Sequence, residues 1–333
     1  MSVSYSRLDV VGIGNALVDV LSYETYELVA ELGLTPGAMT LIDTARAEEL
    51  YAAMGPGVEI SGGSAANTLA GVASLGGRAA FVGRVADDQL GVVFGHDIRA
   101  AGVEFTNKPA SGGDPSGRCL IIVTPDAQRT MNTYLGASAQ LGPADVDHEL
   151  VARAQVLYLE GYLWDEPAAK DAYRLAARTA HDAGNRVAFT LSDSFCVERH
   201  REEFVHLIEH EVDVLFANEA EITSLYEVTD FDDALQHVKN HCEIAALTRS
   251  EKGAVVVTRD EVHVIDAHPV ATLVDTTGAG DLFAAGFLFG LTHGYPLGTA
   301  GQLGALAAAE VISHLGARPE ASLAELARPL LRG

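Results

Sequence analysis

Short apolar runs rich in β-branched residues alternate along the chain with alanine-rich stretches in which apolar positions recur every three or four residues. The short runs predict buried strands, and the amphipathic stretches predict helices. The predicted strands cover residues 8–13, 79–83, 156–159, 187–191, 212–216 and 244–248. The predicted helices cover residues 64–75, 166–183, 219–227, 281–293 and 297–315. Such alternation is typical of an α/β fold, a doubly wound and mostly parallel sheet with helices on both faces.

Two regions break this alternation because no helix follows their strands. Residues 117–123 and 129–135 are extended runs around Thr124-Pro125-Asp126-Ala127, where proline fixes φ, and this arrangement predicts a hairpin. Residues 18–42 contain further strand-like pieces, including 39–42. We therefore expect one folded unit over residues 1–333, with a small β lid from about 16–43 and 104–137 and a large α/β domain from the remainder.

The composition argues against several classes of partner. Of the 333 residues, 48% are apolar, and 46 acidic against 22 basic residues give a net charge of -24. Nucleic acids and anionic membranes are bound mainly through clustered basic residues, so we expect neither as a partner. Arg7, Asp9, Asn15 and Asp19 interrupt any apolar core of a signal peptide, and no run is long and apolar enough to span a membrane. We expect a cytoplasmic protein, either a monomer or a homodimer.

Two short motifs suggest other functions but lack the residues that would complete them. Gly12 and Gly14 begin a dinucleotide-binding pattern, but Leu17 occupies the third glycine position. The run His206-Leu207-Ile208-Glu209-His210 matches the H-x-x-E-H pattern of some zinc peptidases, but its charged surroundings are typical of a solvated helix face. The sequence also lacks the glycine-rich loop of P-loop enzymes.

The most informative stretch is Asp275-Thr276-Thr277-Gly278-Ala279-Gly280-Asp281, which lies between a predicted strand at 270–274 and the helix at 281–293. Small residues at a helix N-terminus let backbone N–H groups converge on an anion, so the stretch predicts a phosphate site. Asp281 would also serve as a helix cap. Because a cap needs no Gly-Ala-Gly run, we favour a carboxylate that accepts the proton of an attacking hydroxyl.

A second glycine-containing stretch precedes the predicted helix at 64–75. Gly62 and Gly63 allow the backbone to approach a ligand closely, and Ser64 and Asn67 share one face of the first helical turn. Taken alone, the stretch is equally consistent with a turn followed by a helix cap.

Further polar residues follow other predicted strands, at the edge where open α/β sheets bind ligands. Asn15 and Asp19 suit the vicinal hydroxyls of a sugar. Asn218 and Glu221 are three residues apart and suit a hydrated magnesium ion, although a plain helix start also favours acids. The run Thr248-Arg249-Ser250-Glu251-Lys252-Gly253 either meets the phosphates of a nucleotide or is an ordinary connection.

Together these segments resemble the ribokinase-like, or PfkB-type, family of carbohydrate and nucleoside kinases, from Gly12 to about Gly316. Residues 62–67 resemble the family's first signature, and residues 275–281 resemble its highly specific second one. Asn218-x-x-Glu221 resembles its magnesium motif. The resemblance implies an ATP- and Mg²⁺-dependent kinase with a ribokinase-like three-layer α/β/α sandwich, a mostly parallel central sheet and a small β-sheet lid.

The resemblance also implies roles for individual residues. Asp281 would be the general base, assisted by the backbone amides from Gly278 to Asp281. Asn218 and Glu221 would order Mg²⁺ and its waters, and Asp275 would help to bind K⁺ if, as in some relatives, a monovalent cation is used. The catalytic set would be Gly278, Ala279, Gly280, Asp281 and Arg129. The nucleotide site would include Asn218, Thr248, Ser250, Gly253, Thr277, Gly278 and Gly280.

Within the family, the likeness is closer to the adenosine kinase branch. Asn15 and Asp19 have the spacing of that branch. Tyr162 and Phe195 stand where the branch has aromatic residues that flank the purine. Arg129 resembles a lid arginine that is directed toward phosphate in the branch. The acceptor would contact Asn15, Asp19, Gly62, Gly63, Ser64, Asn67, Tyr162 and Phe195.

Two residues depart from that branch, since Thr190 stands where asparagine is expected and Ser250 where glycine is usual. We predict transfer of the ATP γ-phosphate to the 5′-hydroxyl of a purine nucleoside, with adenosine as the first candidate and AMP as product. Inosine, guanosine, cytidine and a free sugar such as ribose or fructose stay open as acceptors. A phosphosugar kinase and a ligand sensor without activity also stay open.

Overall fold

The computed structural model describes residues 6–126 and 128–331. Its strands are β1 (Leu8–Ile13), β2 (Leu17–Tyr23), β3 (Met39–Leu41), β4 (Val58–Gly62), β5 (Ala79–Val82), β6 (Glu104–Phe105), β7 (Gly117–Val123), β8 (Arg129–Tyr134), β9 (Ala154–Glu160), β10 (Arg186–Thr190), β11 (Val214–Asn218), β12 (Ile244–Thr248), β13 (Ala254–Thr258) and β14 (Val262–Ile265).

The α-helices are α1 (Tyr26–Glu31), α2 (Thr44–Ala53), α3 (Ser64–Ser74), α4 (Gln89–Ala100), α5 (His148–Arg153), α6 (Pro167–Asp182), α7 (Ser194–His210), α8 (Glu219–Leu225), α9 (Phe231–Val238), α10 (Ala279–Thr292), α11 (Leu297–Val311) and α12 (Leu323–Leu331). Short 3₁₀ helices cover Gly136–Gln140, Pro143–Asp145, Gly161–Leu163 and Ser250–Lys252.

The large sheet has nine strands within the described chain, in the order β14-β13-β12-β11-β10-β9-β1-β5-β6. All neighbouring pairs from β12 to β6 are parallel, whereas β13 and β14 add an antiparallel edge. The six strands predicted from the sequence are β1, β5, β9, β10, β11 and β12, so the central sheet is confirmed. Because these strands are parallel, the polar residues that follow β1, β9, β11 and β12 meet at one edge.

A second sheet of five strands has the order β3-β8-β7-β2-β4. The predicted hairpin is present as antiparallel β7 and β8, although Ala127 of its turn lies outside the described residues. Strand β4 joins this sheet from outside the two segments expected for the lid, and β6, inside one of them, pairs with β5 in the large sheet. A large, mostly parallel sheet with helices and a small second sheet is the arrangement that the family resemblance implied.

Successive residues of the central strands enter two separate cores, one on each face of the large sheet. Val10 belongs to the same core as Leu69 of α3 and Leu282 of α10, whereas Val11 belongs to the core on the opposite face, together with Phe204 of α7. All of these side chains are buried. The sheet therefore fixes α3 and α10 on the same face. The first turns of the two helices lie next to each other, since Ser64 and Asn67 of α3 donate to Asp281 of α10.

Helix α10 is buried over most of its length, from Leu282 to Gly290. A Cβ on Gly286 would lie 2.3 Å from the carbonyl oxygen of Leu303, so glycine lets the backbones of α10 and α11 come into contact. This close packing holds the N-terminus of α10 in a fixed position.

The strand predicted at 270–274 is wrong. Residues 266–278 have no strand, and Leu273 and Val274 are exposed. The amides of Val274 and Asp275 donate instead to the carbonyl of Ile312, in the turn after α11. The apolar run resembled a strand because composition carries no information on burial. Across residues 6–126 and 128–331, no helix combines the length and hydropathy that a membrane span requires.

Candidate active site

The N-terminus of α10 carries open backbone donors. Gly278 is the N-cap with φ 79°, and no side chain caps the helix there. No described residue accepts a hydrogen bond from the N–H of Gly280 or Asp281. A Cβ on Gly280 would point into open space, so the protein itself does not fill this position. The arrangement leaves donors and room for an anion.

Asp281 projects from the first turn of α10 toward the first turn of α3. Ser64 donates through Oγ to Asp281 Oδ1 at 2.6 Å, and Asn67 donates through Nδ2 to Oδ2 at 3.0 Å. Burial raises the pKa of Asp281, while these two donors and the charge of Arg318 lower it. The buried Oδ1 of Asn67 has no donor among the described residues, which leaves an acceptor beside the carboxylate.

The glycine pair before α3 is required by the close approach of two polar residues. A Cβ on Gly62 would lie 2.4 Å from Oδ2 of Asp19, and a Cβ on Gly63 would lie 2.2 Å from the carbonyl oxygen of Asn15. Gly63 also has φ 98°, which favours glycine. The structure therefore brings Asn15, Asp19 and the start of α3 together, while their role in binding the acceptor stays a prediction.

Asn15 is held by a buried carboxylate that the sequence analysis missed. Glu160, the last residue of β9, accepts through Oε1 from the backbone N–H of Asn15 at 2.8 Å and from Asn15 Nδ2 at 3.1 Å. Its Oε2 accepts from the amide of Ala65 at 2.8 Å, and Ser138 donates to Asn15 Oδ1. Burial raises the pKa of Glu160 to about 7, and its N–H donors oppose that shift. Glu160 thus ties the end of β1 to the start of α3.

Asp19 lies on β2 of the small sheet, where it is half-buried. Burial raises its pKa to about 6; the charges of Arg318 and Arg129 lower it, and Asp281 raises it. These effects place the small-sheet carboxylate in the same electrostatic environment as the carboxylate of α10.

Arg129 of the small sheet reaches the stretch before α10. Its Nη1 lies 2.8 Å from Oδ2 of Asp275, and both side chains are only 7% exposed. Asp275 also accepts from the amide and hydroxyl of Thr277 and from the amide of Gly316. The Nε and Nη2 atoms of Arg129 are buried without an acceptor among the described residues, which suits an anionic ligand. Because the oxygens of Asp275 are occupied by these donors, they do not fit direct K⁺ ligation in this conformation, and that role stays a prediction.

Asn218 and Glu221 form a reciprocal capping box at the start of α8. Asn218 donates to Glu221 through its backbone N–H at 2.9 Å and through Nδ2 at 2.6 Å, and the amide of Glu221 donates back to Asn218 Oδ1 at 2.8 Å. The pKa of Glu221 is raised to about 7, mainly by burial and to a smaller extent by the charges of Asp193 and Asp281, while the backbone N–H of Asn218 opposes the shift. Within the described chain no three acidic, histidine or cysteine residues are grouped for direct metal binding. The side-chain oxygens of Asn218 and Glu221 suit a magnesium ion that is contacted through water molecules, because both carboxylate oxygens of Glu221 already accept hydrogen bonds.

The predicted nucleotide loop follows β12. Thr248 ends the strand, and Ser250 adopts φ 51°, a left-handed conformation that explains why glycine is usual there. Gly253 has φ 82°, and its Cβ would lie 2.0 Å from the carbonyl of Ile265. Arg249 pairs with Glu219 of α8, which places this loop beside the capping box.

The two aromatic residues predicted for the acceptor differ in burial. Tyr162 is half-buried, and its hydroxyl donates to the carbonyl of Ser192 at 3.2 Å. Phe195 is the second residue of α7, and 69% of its surface is exposed. Ser192, whose carbonyl accepts from Tyr162 and which lies three residues before Phe195, has φ 73°, an uncommon left-handed conformation for a residue other than glycine. Their role in substrate stacking stays a prediction.

Glu160 and Arg318 are the site residues that sequence reasoning missed. Glu160 directly follows the strand predicted at 156–159 and is the last residue of β9, as Asn218 is of β11, so the same signal of a polar residue after a buried strand could have found it. Arg318 lies in the irregular segment after α11, and no sequence pattern distinguishes it.

A family model described as pfkB family carbohydrate kinase matches residues 27–323. The chain belongs to this family. Membership confirms the resemblance drawn from the motifs, and it makes the protein a phosphotransferase that acts on an alcohol group. Kinases of the family use ATP and bind small sugar or nucleoside substrates.

Two solved structures are similar to this pfkB-family kinase over almost its whole length. The adenosine kinase from Sinorhizobium meliloti is 55% identical, with a TM-score of 0.90, over 97% of this chain and 99% of that one. A probable sugar kinase protein from Rhizobium etli CFN 42 is 51% identical, with a TM-score of 0.91, over 98% and 99%. Among curated relatives, the ATP-dependent ribose-1-phosphate kinase from Halopiger xanaduensis is 32% identical over 68% of this chain and 72% of its own length.

Proposed function

We propose that this pfkB-family kinase transfers the γ-phosphate of ATP to the 5′-hydroxyl of a purine nucleoside, adenosine first, to give AMP and ADP. The observation that carries the chemistry is the carboxylate of Asp281 beside the unpaired amides at the start of α10. The choice of nucleoside is supported by 55% identity to the adenosine kinase from Sinorhizobium meliloti.

Asp281 accepts the proton of the attacking hydroxyl in this mechanism. The new O–P bond forms at the γ-phosphorus as the bond to the β-phosphate oxygen breaks, and ADP leaves. Ser64 and Asn67 hold the carboxylate in one orientation, since each donates to a different oxygen. The amides of Gly280 and Asp281 face the position where negative charge develops on the transferred group.

The remaining groups bind and neutralise the nucleotide. Arg129 offers two buried nitrogen atoms, Nε and Nη2, whose N–H groups lack acceptors among the described residues, and phosphate oxygens satisfy them. Asn218 and Glu221 would hold Mg²⁺ through its water shell. When bound, the ion neutralises charge on the phosphates.

The acceptor lies between the two sheets in this proposal. Asp19 from the small sheet accepts from the vicinal hydroxyls of the ribose, and Asn67 Oδ1 is a further acceptor. Tyr162 and Phe195 flank the base. We further propose that the small sheet closes over the substrate, because water that reaches the γ-phosphate would compete with the hydroxyl.

A sugar kinase is the second candidate, since the Rhizobium etli relative is a probable sugar kinase at 51% identity. A phosphorylated acceptor is less well supported, because Arg318 donates to the carbonyls of Ser61 and Ala66, and the open N–H groups of Arg129 are assigned in this proposal to the phosphates of ATP.

The test is an ADP-release assay with adenosine, inosine, guanosine, cytidine, ribose, fructose and ribose 1-phosphate at matched concentrations. We expect adenosine to give the highest kcat/KM. Faster turnover of a free or phosphorylated sugar than of every nucleoside would assign the protein to the second candidate. Phosphorus NMR of the product then identifies the hydroxyl that receives the phosphate.

A further inference from the structure

Arg318 lies in the segment after α11, and its guanidinium group is directed at main-chain oxygens. Nε and Nη2 donate to the carbonyl of Ser61 at 3.1 and 2.9 Å, and Nη2 also donates to Ser61 Oγ at 3.0 Å. Nη1 donates to the carbonyl of Ala66 at 2.7 Å. Burial lowers the pKa of Arg318 to about 10, so the side chain keeps its positive charge at neutral pH.

The two carbonyls lie on either side of the Gly62–Gly63 pair. Ser61 belongs to β4 of the small sheet, and Ala66 belongs to the first turn of α3. Ser61 is fixed from the other side as well, because its amide and hydroxyl donate to Asp97 Oδ2 at 2.7 and 2.6 Å. Arg318 therefore fixes the backbone that presents Ser64 and Asn67 to the carboxylate of Asp281.

Arg318 also changes the charge balance of the site. The titratable and hydrogen-bonding groups that face Asp281 are Asp19 from β2, Ser64 and Asn67 from α3, Tyr158 and Glu160 from β9, Tyr162, Glu221 from α8, and Arg318. Arg318 is the basic member of this set. Its charge also acts on Asp19 and Asp97, so one guanidinium serves three carboxylates.

We propose that Arg318 is a positioning residue of the kinase reaction, which fixes the glycine pair against the base through its hydrogen bonds to Ser61 and Ala66 and places a positive charge near the carboxylate of Asp281. This inference rests on the proposed role of Asp281 as general base. Arg318 acts through the Gly62–Gly63 segment and through its charge.

The experiment compares the pH dependence of kcat/KM in the wild type, Arg318→Met, Arg318→Lys and a control, Arg328→Met. Arg328 lies exposed on α12 and pairs only with its neighbour Glu325 among the described residues. Loss of the charge in Arg318→Met raises the pKa of Asp281, so we expect the acid limb to move up by about one pH unit. We also expect kcat/KM at the optimum to fall by about tenfold or more.

Lysine keeps the charge but not the fork of donors. Arg318→Lys is therefore expected to leave the acid limb within about 0.3 unit of the wild type, while kcat/KM falls because the glycine segment is held less firmly. Arg328→Met is expected to match the wild type in both respects.

The variants separate failure of this inference from failure of the proposed function. If Arg318→Met folds and its acid limb does not move, the inference about Arg318 is overturned. If Asp281→Asn is inactive at the same time, the proposal that Asp281 is the general base still stands. If Arg318→Met does not fold, Arg318→Lys decides, and an upward shift of its acid limb overturns the charge role. If Asp281→Asn keeps turnover within about tenfold of the wild type, the role of Asp281 as general base is contradicted. The inference about Arg318 then loses its basis as well.

Discussion

Helices α8 and α10 begin with the same pattern of positions and use it differently. From N-cap to third helical residue, α8 has Asn218-Glu219-Ala220-Glu221 and α10 has Gly278-Ala279-Gly280-Asp281, so both place an acid at the third position. In α8 that acid turns back to its own cap and forms the reciprocal box. In α10 it extends away from its own helix to Ser64 and Asn67 of α3.

This difference shows how one local pattern serves either structure or chemistry. The capping box of α8 satisfies donors at its own helix start, so that terminus is stabilised from within. Helix α10 begins at Gly278 without a side-chain cap, so its free donors remain available to a ligand, and burial against α11 replaces the missing cap as the source of stability. A helix whose N-terminus has no side-chain cap, and which is stabilised by burial of its later turns, is therefore the stronger candidate for a catalytic site.

The substitution that tests this comparison most strongly is Asp281→Asn. Asparagine keeps the shape but cannot take the proton of the acceptor hydroxyl, so we expect kcat to fall by about a hundredfold or more. The matched control is Asp233→Asn, the acid at the third position of α9, which is exposed. Steady-state ADP release measures both, and similar activities would show that the acid of α10 is no more than a helix-start residue.

Gly280→Ala, at the second residue of α10, is expected to change activity and stability in different ways. The added Cβ enters open space and alanine favours helix, so we expect the free energy of unfolding to stay constant or rise by up to about 1 kcal/mol. The same Cβ occupies the space proposed for the phosphoryl group, so kcat/KM should fall by about tenfold or more. The reverse change in α8, Ala220→Gly, should lower stability and leave activity unchanged. Denaturant unfolding and turnover assays measure the two properties, and full activity in Gly280→Ala would contradict the placement of the phosphate.

Asn218→Ala has the smallest expected effect and probes whether the box of α8 also serves the metal. Loss of the cap should cost about 1 kcal/mol of unfolding free energy, and the same loss is expected for Asp230→Ala at the N-cap of α9. Only Asn218→Ala should raise the Mg²⁺ concentration for half-maximal activity, by about threefold or more. A titration with Mg²⁺ gives this value, and equal requirements in the two variants would reduce Asn218 to a cap.

Much of this comparison was accessible from the sequence. The 275–281 stretch was interpreted as a phosphate site from its small residues before a helix. The glycine pair gained its role only through the family resemblance, because taken alone it is equally consistent with a turn and a helix cap. The pairing of Arg129 with Asp275 was not recognised, since it joins residues far apart in the chain and depends on how the small sheet sits. The strand expected at 270–274 was wrong because its apolar residues are exposed.

The sequence by itself determined the central parallel sheet, the hairpin of the small sheet and the family, since periodicity, turn residues and signature spacing are local properties of the chain. The tertiary structure decided which polar groups act on one another. Glu160 and Arg318 belong to the site because strands and segments distant in sequence bring them to the start of α3. Burial and charge interactions depend on distances in space, which the order of residues does not contain.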